Sequence, residues 1–311
     1  MREFLLKQGV PHKLLDEVEA FRAYYKLDDQ YIDRIPQPRY KYYGGQVWSK
    51  LIAGILAGYN VLLSGPKATG KNVLADNLAS LFYRPMWNMS MNINSDAASL
   101  LGSDTFVNNE VVLRKGPVYM AAEVGGFAVF DEINMAKNES LAVIYSALDH
   151  RRIIDVPGYD KIRLHEASRF IGTMNYGYIG TKELNEALVS RFLVVDMPTI
   201  SEDNLKMILS EEFKLRDDYR DLFVKLFMDL QLKSLNAEIS SKPIDLRGLF
   251  ASIETMAQGL DLKSALDMGI VNKTFDVYER EIVADVVASL FPKNLDSKDI
   301  FLGLVRFINR R

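Results

Sequence analysis

The fold of this 311-residue chain is indicated most clearly by the sequence Gly65-Pro66-Lys67-Ala68-Thr69-Gly70-Lys71-Asn72. The stretch follows the phosphate-loop pattern of Gly, four residues, Gly-Lys and then Ser or Thr, at every place except the last. Glycines allow successive backbone N–H groups to turn inward around phosphate oxygens, and the dipole of a following helix also favours an anion. Taken alone, the pattern is also compatible with an ordinary turn rich in glycine and lysine, so the flanking segments decide between the two.

The segments on both sides of the stretch favour a phosphate loop. An apolar run at 60–64 predicts a short buried strand, and the spacing of Leu74, Leu78 and Phe82 predicts a helix over 71–82. A strand before the loop and a helix after it are the context that the motif requires. We therefore expect nucleotide phosphates to be bound by Gly65, Pro66, Lys67, Ala68, Thr69, Gly70, Lys71, Asn72 and Val73.

The last position of the motif departs from the pattern. Lys71 supplies a positive charge for the β and γ phosphates, and the residue after it usually offers a hydroxyl group to Mg²⁺. Asn72 offers an amide oxygen on a longer side chain, which is an acceptable ligand for a hard cation. We expect nucleotide binding, with Asn72 as a candidate metal ligand and the metal geometry as the open question.

A second polar cluster follows an apolar run at 127–130. Asp131 and Glu132 come directly after this run, which predicts a buried strand that ends in two carboxylates. Buried carboxylates are unfavourable unless they are paired or metal-bound, and open α/β sheets bind ligands at the carboxyl ends of their strands. We expect Asp131 to hold Mg²⁺ and Glu132 to orient and polarise the attacking water. An acidic cap at the start of a helix is the alternative explanation.

Two further candidates lie downstream. Asn175 follows an apolar run that starts at Phe170, in a strand that we expect beside the acidic one, and its neutral amide can hold the lytic water. A turn-forming asparagine is the alternative. Arg191 comes at the end of a helix predicted over 184–192 and is a candidate to stabilise charge on the transferred phosphoryl group, with a surface salt bridge as the alternative.

The chain as a whole predicts an α/β core followed by a helical domain. We expect strands at 60–64, 86–93, 127–130, 170–173 and 192–195, most of them short and apolar, as in a parallel sheet covered on both faces. The predicted organisation is a helical extension and linker at 1–40, a core with a five-stranded, mostly parallel sheet at 41–198, and a smaller all-helical lid domain at 199–311.

Composition excludes several classes of protein. The formal net charge is −3, from 38 Lys and Arg against 41 Asp and Glu, which excludes a histone-like protein and disfavours nucleic-acid binding. The absence of Cys excludes a zinc ribbon, a disulfide framework and a cysteine nucleophile. The most apolar stretch, at 51–63, is too short to span a membrane, and the acidic residues near the start do not fit a signal peptide. We therefore expect a cytoplasmic protein.

Five motifs in a fixed order carry a resemblance to a known family. They are GPKATGKN at 65–72, FAVFDEIN at 127–134, FIGTMNYGY at 170–178, ALVSRF at 187–192 and DLRGL at 245–249. The chain resembles an AAA+ ATPase of the MoxR branch, and most of all its CbbQ, NirQ, NorQ and GvpN-like subgroup. The resemblance implies that Lys71 belongs to Walker A, Asp131 and Glu132 to Walker B, Asn175 to sensor 1, Arg191 to the arginine finger and Arg247 to sensor 2.

The resemblance also implies a mode of action. Such ATPases form hexameric rings in which a neighbouring subunit completes each ATP site, here with Arg191. They act as chaperone-like remodellers or activators of a client protein, often with a partner that carries a von Willebrand factor A domain. Two hairpins typical of the branch are expected at 105–113 and 152–164, and they face the pore or the substrate in ring-forming relatives. Ordinary surface hairpins are the alternative.

Three functions compete at this stage. The first is a ring remodeller that binds and hydrolyses MgATP. The second is a nucleotide-gated scaffold that binds ATP and hydrolyses little of it, suggested by Asn72. The third is a DNA-acting AAA+ motor, which the acidic balance disfavours.

Overall fold

The computed structural model describes residues 1–176, 183–291 and 297–303. The chain forms two compact units, Met1–Pro198 and Thr199–Arg311. Gly177 and Tyr178, the last two residues of the motif that starts at Phe170, lie outside the described residues.

The first unit is built on a parallel sheet. Its strands are β1 (Val61–Gly65), β2 (Met86–Ser90), β3 (Gly102–Val107), β4 (Glu110–Lys115), β5 (Phe127–Asp131), β6 (Ile153–Ile154), β7 (Ile162–Arg163), β8 (Arg169–Asn175) and β9 (Leu193–Asp196). Five of them form one sheet in the order β2-β5-β8-β1-β9, in which all neighbouring pairs are parallel. The prediction of an α/β core with a five-stranded parallel sheet is confirmed.

Short helices connect these strands. The helices of the first unit are α1 (Arg2–Lys7), α2 (His12–Tyr24), α3 (Gly45–Leu56), α4 (Lys71–Phe82), α5 (Ala97–Leu101), α6 (Pro117–Val124), α7 (Asn138–Ala142), α8 (Tyr145–Leu148) and α9 (Glu186–Val189). The helix predicted over 71–82 has these bounds in the structure. Single 3₁₀ turns lie at Asp29–Arg34 and Ile133–Met135.

Strand β1 determines where the candidate site lies. All of its residues are buried, as expected for an apolar strand between two parallel neighbours. It pairs with β8 in a register that sets Gly65 beside Asn175, and β8 pairs with β5, which ends at Asp131. The phosphate loop, the acidic pair and Asn175 therefore lie at the same edge of the sheet.

Two elements end earlier than predicted. Strand β2 stops at Ser90 instead of continuing to residue 93, because the side chain of Asn92 accepts from the N–H of Asn94 and closes a turn. Helix α9 is only 4 residues long. The side chain of Asn185 caps its start by accepting from the N–H of Ala187, and beyond Val189 the N–H groups of Arg191 and Phe192 donate to carbonyl oxygens three residues back instead of four.

Both predicted hairpins are confirmed. Strands β3 and β4 pair antiparallel and turn at Asn108 and Asn109, whose φ angles of 51° and 67° match the left-handed residues of a two-residue hairpin turn. Strands β6 and β7 form a shorter antiparallel pair. The apolar side chains near the first turn are exposed, with Phe106 at 69% and Val111 at 61%.

The first two helices pack into the core of the first unit. Leu5 and Leu15 are buried in the same apolar cluster as Trp48 of α3. The rings of Phe21 in α2 and Phe82 in α4 meet edge to face, with their centroids 5.2 Å apart. The N-terminal residues thus share a core with the strands of the sheet.

The second unit is helical in the residues that the structure describes. Its helices are α10 (Glu202–Glu212), α11 (Asp217–Leu235), α12 (Leu246–Ala257), α13 (Leu262–Gly269), α14 (Val277–Leu290) and α15 (Ser297–Ile300). Helices α12 and α13 approach closely at Gly248, where a Cβ atom would collide with the carbonyl oxygen of Gly269. Across the described parts of both units, no helix has the length and apolar character needed to cross a membrane.

Candidate active site

The phosphate loop connects β1 to α4 in a conformation suited to anions. Gly70 caps α4 with a φ of 80°, and Ala68 also lies in the left-handed region with a φ of 61°. Left-handed positions turn successive N–H groups toward one side of the loop, which is how backbone concavities bind anions. The first turn of α4 adds its unpaired N–H groups at the same place.

Lys71 folds back over this loop. Its Nζ donates to the carbonyl oxygens of Gly65 (2.9 Å) and Pro66 (2.6 Å) and to Oγ1 of Thr69 (3.1 Å). Burial lowers the pKa of Lys71 to about 8, although the nearby charges of Asp131 and Glu132 act in the opposite direction. A phosphate group offers negatively charged oxygens in place of these neutral ones, so its binding raises the pKa of Lys71 and fixes its charge.

Asp131 is held through both of its carboxylate oxygens. Its Oδ1 accepts from Oγ1 of Thr173 (2.6 Å), and its Oδ2 accepts from Nδ2 of Asn72 (2.9 Å). Because only the nitrogen of an amide can donate to a carboxylate, the amide of Asn72 directs its NH₂ group toward Asp131. The amide oxygen, which the sequence suggested as a metal ligand, is not the atom that faces the acid.

Glu132 is brought together with Asn175 as expected. Its Oε1 accepts from Nδ2 of Asn175 at 2.9 Å, and its backbone N–H donates to Oγ1 of Thr173 at 3.0 Å. The backbone of Glu132 is left-handed, with φ 54° and ψ 48°. Asn175 is the last residue of β8 and pairs with Gly65, so it is part of the sheet and not a residue of a turn.

Arg191 lies in a separate cluster, formed with α8 and the residue that follows it. Its Nη2 is 3.7 Å from Oδ2 of Asp149, its guanidinium lies 4.6 Å from the ring centroid of Tyr145, and its Nη1 donates to the carbonyl oxygen of Ala187. Asp149 also accepts from Nη2 of Arg151 (2.7 Å), and the hydrogen bonds from Arg151 are the main reason why the pKa of Asp149 falls to about 2. Within its own chain, Arg191 therefore forms an ion pair.

The similarity of this chain to known proteins covers the same motifs. A family model described as AAA domain (dynein-related subfamily) matches residues 60–192. The uncharacterized protein YojN of Bacillus subtilis (strain 168) is 35% identical over 246 residues, which cover 77% of this chain and 81% of YojN. The chain contains an AAA domain of the dynein-related subfamily.

Two further comparisons concern another relative and a solved structure. An uncharacterized protein of Staphylococcus epidermidis is 32% identical over 235 residues, which cover 73% of this chain and 89% of that protein. A solved structure of a provisionally named ATPase from Cytophaga hutchinsonii is 13% identical, covers 88% of this chain and 94% of its own, and has a TM-score of 0.44. The region that the AAA family model matches, residues 60–192, contains the phosphate loop, the acidic pair, Asn175 and Arg191.

AAA proteins usually bind their nucleotide with Mg²⁺, so the fit of the residues to this ion matters. The described residues contain no cluster of three or more His, Cys, Asp or Glu side chains that could hold a metal by themselves. Asp131 lies beside Asn72, the last residue of the loop. This position suits Mg²⁺, because the ion usually takes one or two carboxylates and completes its shell with water and substrate phosphates. The residues fit an ion that arrives with the nucleotide.

Arg247 belongs to the second unit of this AAA protein. It occupies the first turn of α12, where its Nε is 3.8 Å from Oδ1 of Asp245. Its side chain is 94% exposed. Within the first unit, the sheet edge brings together Lys71, Asn72, Asp131, Glu132 and Asn175, while Arg191 pairs with Asp149.

Thr173 is the residue of the site that sequence reasoning missed. It is 1% exposed and bonds to both acidic residues. The sequence feature that could have indicated Thr173 is its place two residues before Asn175 in the same strand, because alternate residues of a strand share one face of the sheet.

Tyr42 also lies at the phosphate loop, with its ring packed beside Gly70. Burial raises the pKa of its hydroxyl to about 12.

Proposed function

We propose that this AAA protein is a Mg²⁺-dependent ATPase of the MoxR branch that works as a ring-shaped remodeller or activator of a client protein. The observation that carries the proposal is the hydrogen bond of 2.9 Å from the Asn175 amide to the Glu132 carboxylate, at the sheet edge that also carries Lys71. A carboxylate that one oxygen holds in place has its second oxygen for a water molecule. Hydrolysis needs such a group, whereas nucleotide binding alone does not.

Each residue at the sheet edge then has a distinct task. The N–H groups of the loop and the charge of Lys71 bind the phosphates, and Asp131 would hold a Mg²⁺ ion, which would neutralise part of their charge. Glu132 orients a water molecule and accepts its proton while the water oxygen attacks the γ phosphorus. The bond from that phosphorus to the oxygen bridging to the β phosphate breaks, and ADP and phosphate leave. Asn175 keeps Glu132 in the direction of the water.

The remaining tasks are assigned from the resemblance to MoxR-type ATPases. Arg191 of a neighbouring subunit stabilises the charge on the transferred phosphoryl group, and Arg247 acts as sensor 2. The same resemblance supports a homo-hexamer, a client protein and a partner with a von Willebrand factor A domain. In this assembly Arg191 exchanges its pairing with Asp149 for contact with the neighbour's phosphate.

One observation favours a second candidate function. The NH₂ group of Asn72 is directed at Asp131, where the usual Ser or Thr of the motif would offer a hydroxyl to the metal. A weakly held Mg²⁺ would leave a protein that binds ATP and assembles but hydrolyses slowly. This scaffold differs from the remodeller in one respect, which is that Asn72→Thr would increase its turnover strongly.

The test is the ATPase rate per subunit, with Mg²⁺ and over a wide range of protein concentration, for wild type and Arg191→Ala. We expect the wild-type rate to rise with concentration and Arg191→Ala to lower it by about 10³-fold. Lys161→Ala is the matched control, because Lys161 is an exposed basic residue in an ion pair of 2.9 Å with Asp155. A wild-type rate independent of concentration and equal to that of Arg191→Ala would contradict the shared site. Bound ATP without turnover would favour the scaffold.

A further inference from the structure

Thr173 occupies a central place at the sheet edge. Strand β8 lies between β5 and β1, and its pairing with β5 ends at Gly172 beside Phe130, the residues directly before Thr173 and Asp131. The side chain of Thr173 is 1% exposed, so it is shielded from solvent and its hydroxyl group depends on protein partners. Two such partners are present, and they belong to consecutive residues.

The direction of both hydrogen bonds follows from chemistry. A hydroxyl has one proton to donate, and a carboxylate oxygen can only accept, so the bond of 2.6 Å to Oδ1 of Asp131 takes that proton. The lone pairs of Oγ1 are then available for the backbone N–H of Glu132, which donates at 3.0 Å. One side-chain oxygen therefore fixes the carboxylate of Asp131 and the backbone of Glu132.

The backbone of Glu132 gives the second contact its importance. Its φ of 54° and ψ of 48° lie in the left-handed region, which a residue with a Cβ atom adopts only when its surroundings hold it there. This conformation directs the side chain of Glu132 to Asn175, which lies two residues after Thr173 and so on the same face of β8. Without the hydroxyl of Thr173, the N–H of Glu132 loses its partner.

We propose that Thr173 is the positioning residue of this site, which sets the directions of both Asp131 and Glu132 through one hydroxyl group. The inference rests on the proposed ATPase function for its kinetic consequence and on the hydrogen bonds alone for its structural one. Thr173 acts through the two acids and needs no contact with the nucleotide. Its loss therefore lowers kcat and leaves nucleotide binding largely unchanged.

The kinetic test compares Thr173→Val, which keeps the shape and loses the hydroxyl, with Thr173→Ser, which keeps the hydroxyl. We expect Thr173→Val to lower kcat by about 10- to 100-fold, with KM for ATP changed by less than about 3-fold, and Thr173→Ser to retain most of the wild-type rate. The matched control is Thr274→Val, because Thr274 is fully buried and its Oγ1 has no hydrogen-bond partner among the residues that the structure describes. Equal losses in the Val and Ser variants, or a change confined to KM, would overturn the inference.

A crystal structure of Thr173→Val separates this inference from the proposed function. We expect the Asp131 carboxylate to rotate away from its position in wild type and the backbone of Glu132 to leave the left-handed region. Unchanged positions of both residues would overturn the inference whether or not the wild type hydrolyses ATP. An inactive wild type with displaced acids in the variant would instead contradict only the proposed function.

Discussion

The charged side chains at the two ends of the parallel sheet have different kinds of hydrogen-bond partner. At the carboxyl end, Asp131 and Glu132 accept hydrogen bonds from the side chains of Asn72, Thr173 and Asn175. At the amino end, buried arginines donate mostly to backbone carbonyl oxygens. Both ends belong to the first unit, and the strands that connect them are the same.

The amino end is built around Arg169, the first residue of β8. Its Nε donates to the carbonyl oxygen of Ile55 (2.8 Å), and its Nη1 donates to those of Glu166 (2.6 Å) and Ser168 (2.7 Å). Burial lowers the pKa of Arg169 to about 10, which still leaves it charged at neutral pH. Arg152 bonds in the same manner to the carbonyl oxygens of His165 and Ser168.

The kind of hydrogen-bond partner, side chain or backbone, determines which end of the sheet can respond to a ligand. A carbonyl oxygen of the backbone cannot move without moving the chain, so the arginines at the amino end have fixed partners and stabilise the fold. A side-chain hydroxyl or amide can rotate and exchange its partner for a phosphate, a water or a metal ion. The acidic end therefore suits chemistry, and we expect substitutions at the two ends to affect different measurements.

The largest effect is expected for Glu132→Gln at the carboxyl end. The amide keeps the shape of the side chain and can still bond to Asn175, but it cannot take a proton from water, so turnover falls by about 1,000-fold, or about 4 kcal/mol in the barrier. Steady-state ATPase assays and titration with a fluorescent ATP analogue measure turnover and binding separately. Glu139→Gln is the control, because Glu139 is an exposed acid in α7. Normal turnover in Glu132→Gln would contradict the role of this residue.

A smaller effect, on stability instead of turnover, is expected for Arg169→Met. The methionine removes three hydrogen bonds to backbone carbonyl oxygens, each worth about 1 kcal/mol, so the free energy of unfolding falls by about 3 kcal/mol. Arg84→Met is the matched control at the same end. Arg84 is also buried, but its side chain donates a hydrogen bond to the carbonyl oxygen of Tyr25, and within the described part of the chain its Nε and Nη2 have no partner.

For Arg84→Met we expect a loss of about 1 kcal/mol, because a single hydrogen bond is removed. Urea unfolding monitored by circular dichroism gives both values. Equal losses in the two variants would mean that burial of the side chain, and not the number of backbone partners, determines the stability of the amino end. That result would remove the distinction drawn between the two ends.

The smallest effect concerns His165, which lies among the same arginines. Burial and the nearby charges of Arg84 and Arg152 lower the pKa of His165 below its ordinary value of 6.5, although Glu166 acts in the opposite direction. The unfolded chain therefore takes up this proton first as the pH falls, so the free energy of unfolding declines below about pH 6.5.

We expect His165→Gln to make this decline shallower, by about 1 kcal/mol or less between pH 7 and pH 5. The exposed His150, replaced by Gln, is the control. Unfolding curves at several pH values check the expectation. A decline that is as steep in His165→Gln as in wild type would show that other groups cause it.

Much of the site was predictable because its signals are local. The apolar run of β1, the glycines of the loop and the helical spacing of α4 lie within about twenty residues, so their pattern in the sequence is also their pattern in space. The proximity of Glu132 and Asn175 was predictable in part, because both residues end apolar runs and parallel strands bring such ends to one edge.

Other features depended on contacts between distant segments. The pairing of Arg191 with Asp149 joins two loops that are far apart in the chain, and the sequence offered only the general alternative of a surface salt bridge. The direction of the Asn72 amide depends on Asp131, a residue of another strand. The early end of β2 and the late start of α9 came from single asparagine side chains, which the spacing of apolar residues does not reveal.

From the sequence alone it follows that a phosphate loop joins a buried strand to a helix and that two carboxylates end another strand, because backbone geometry and burial depend on neighbouring residues. That one hydroxyl, that of Thr173, holds both acids is visible only in the folded chain, because this contact depends on strand register. A shift of β8 against β5 by a single residue would turn Thr173 to the opposite face of the sheet and leave Oδ1 of Asp131 without its donor.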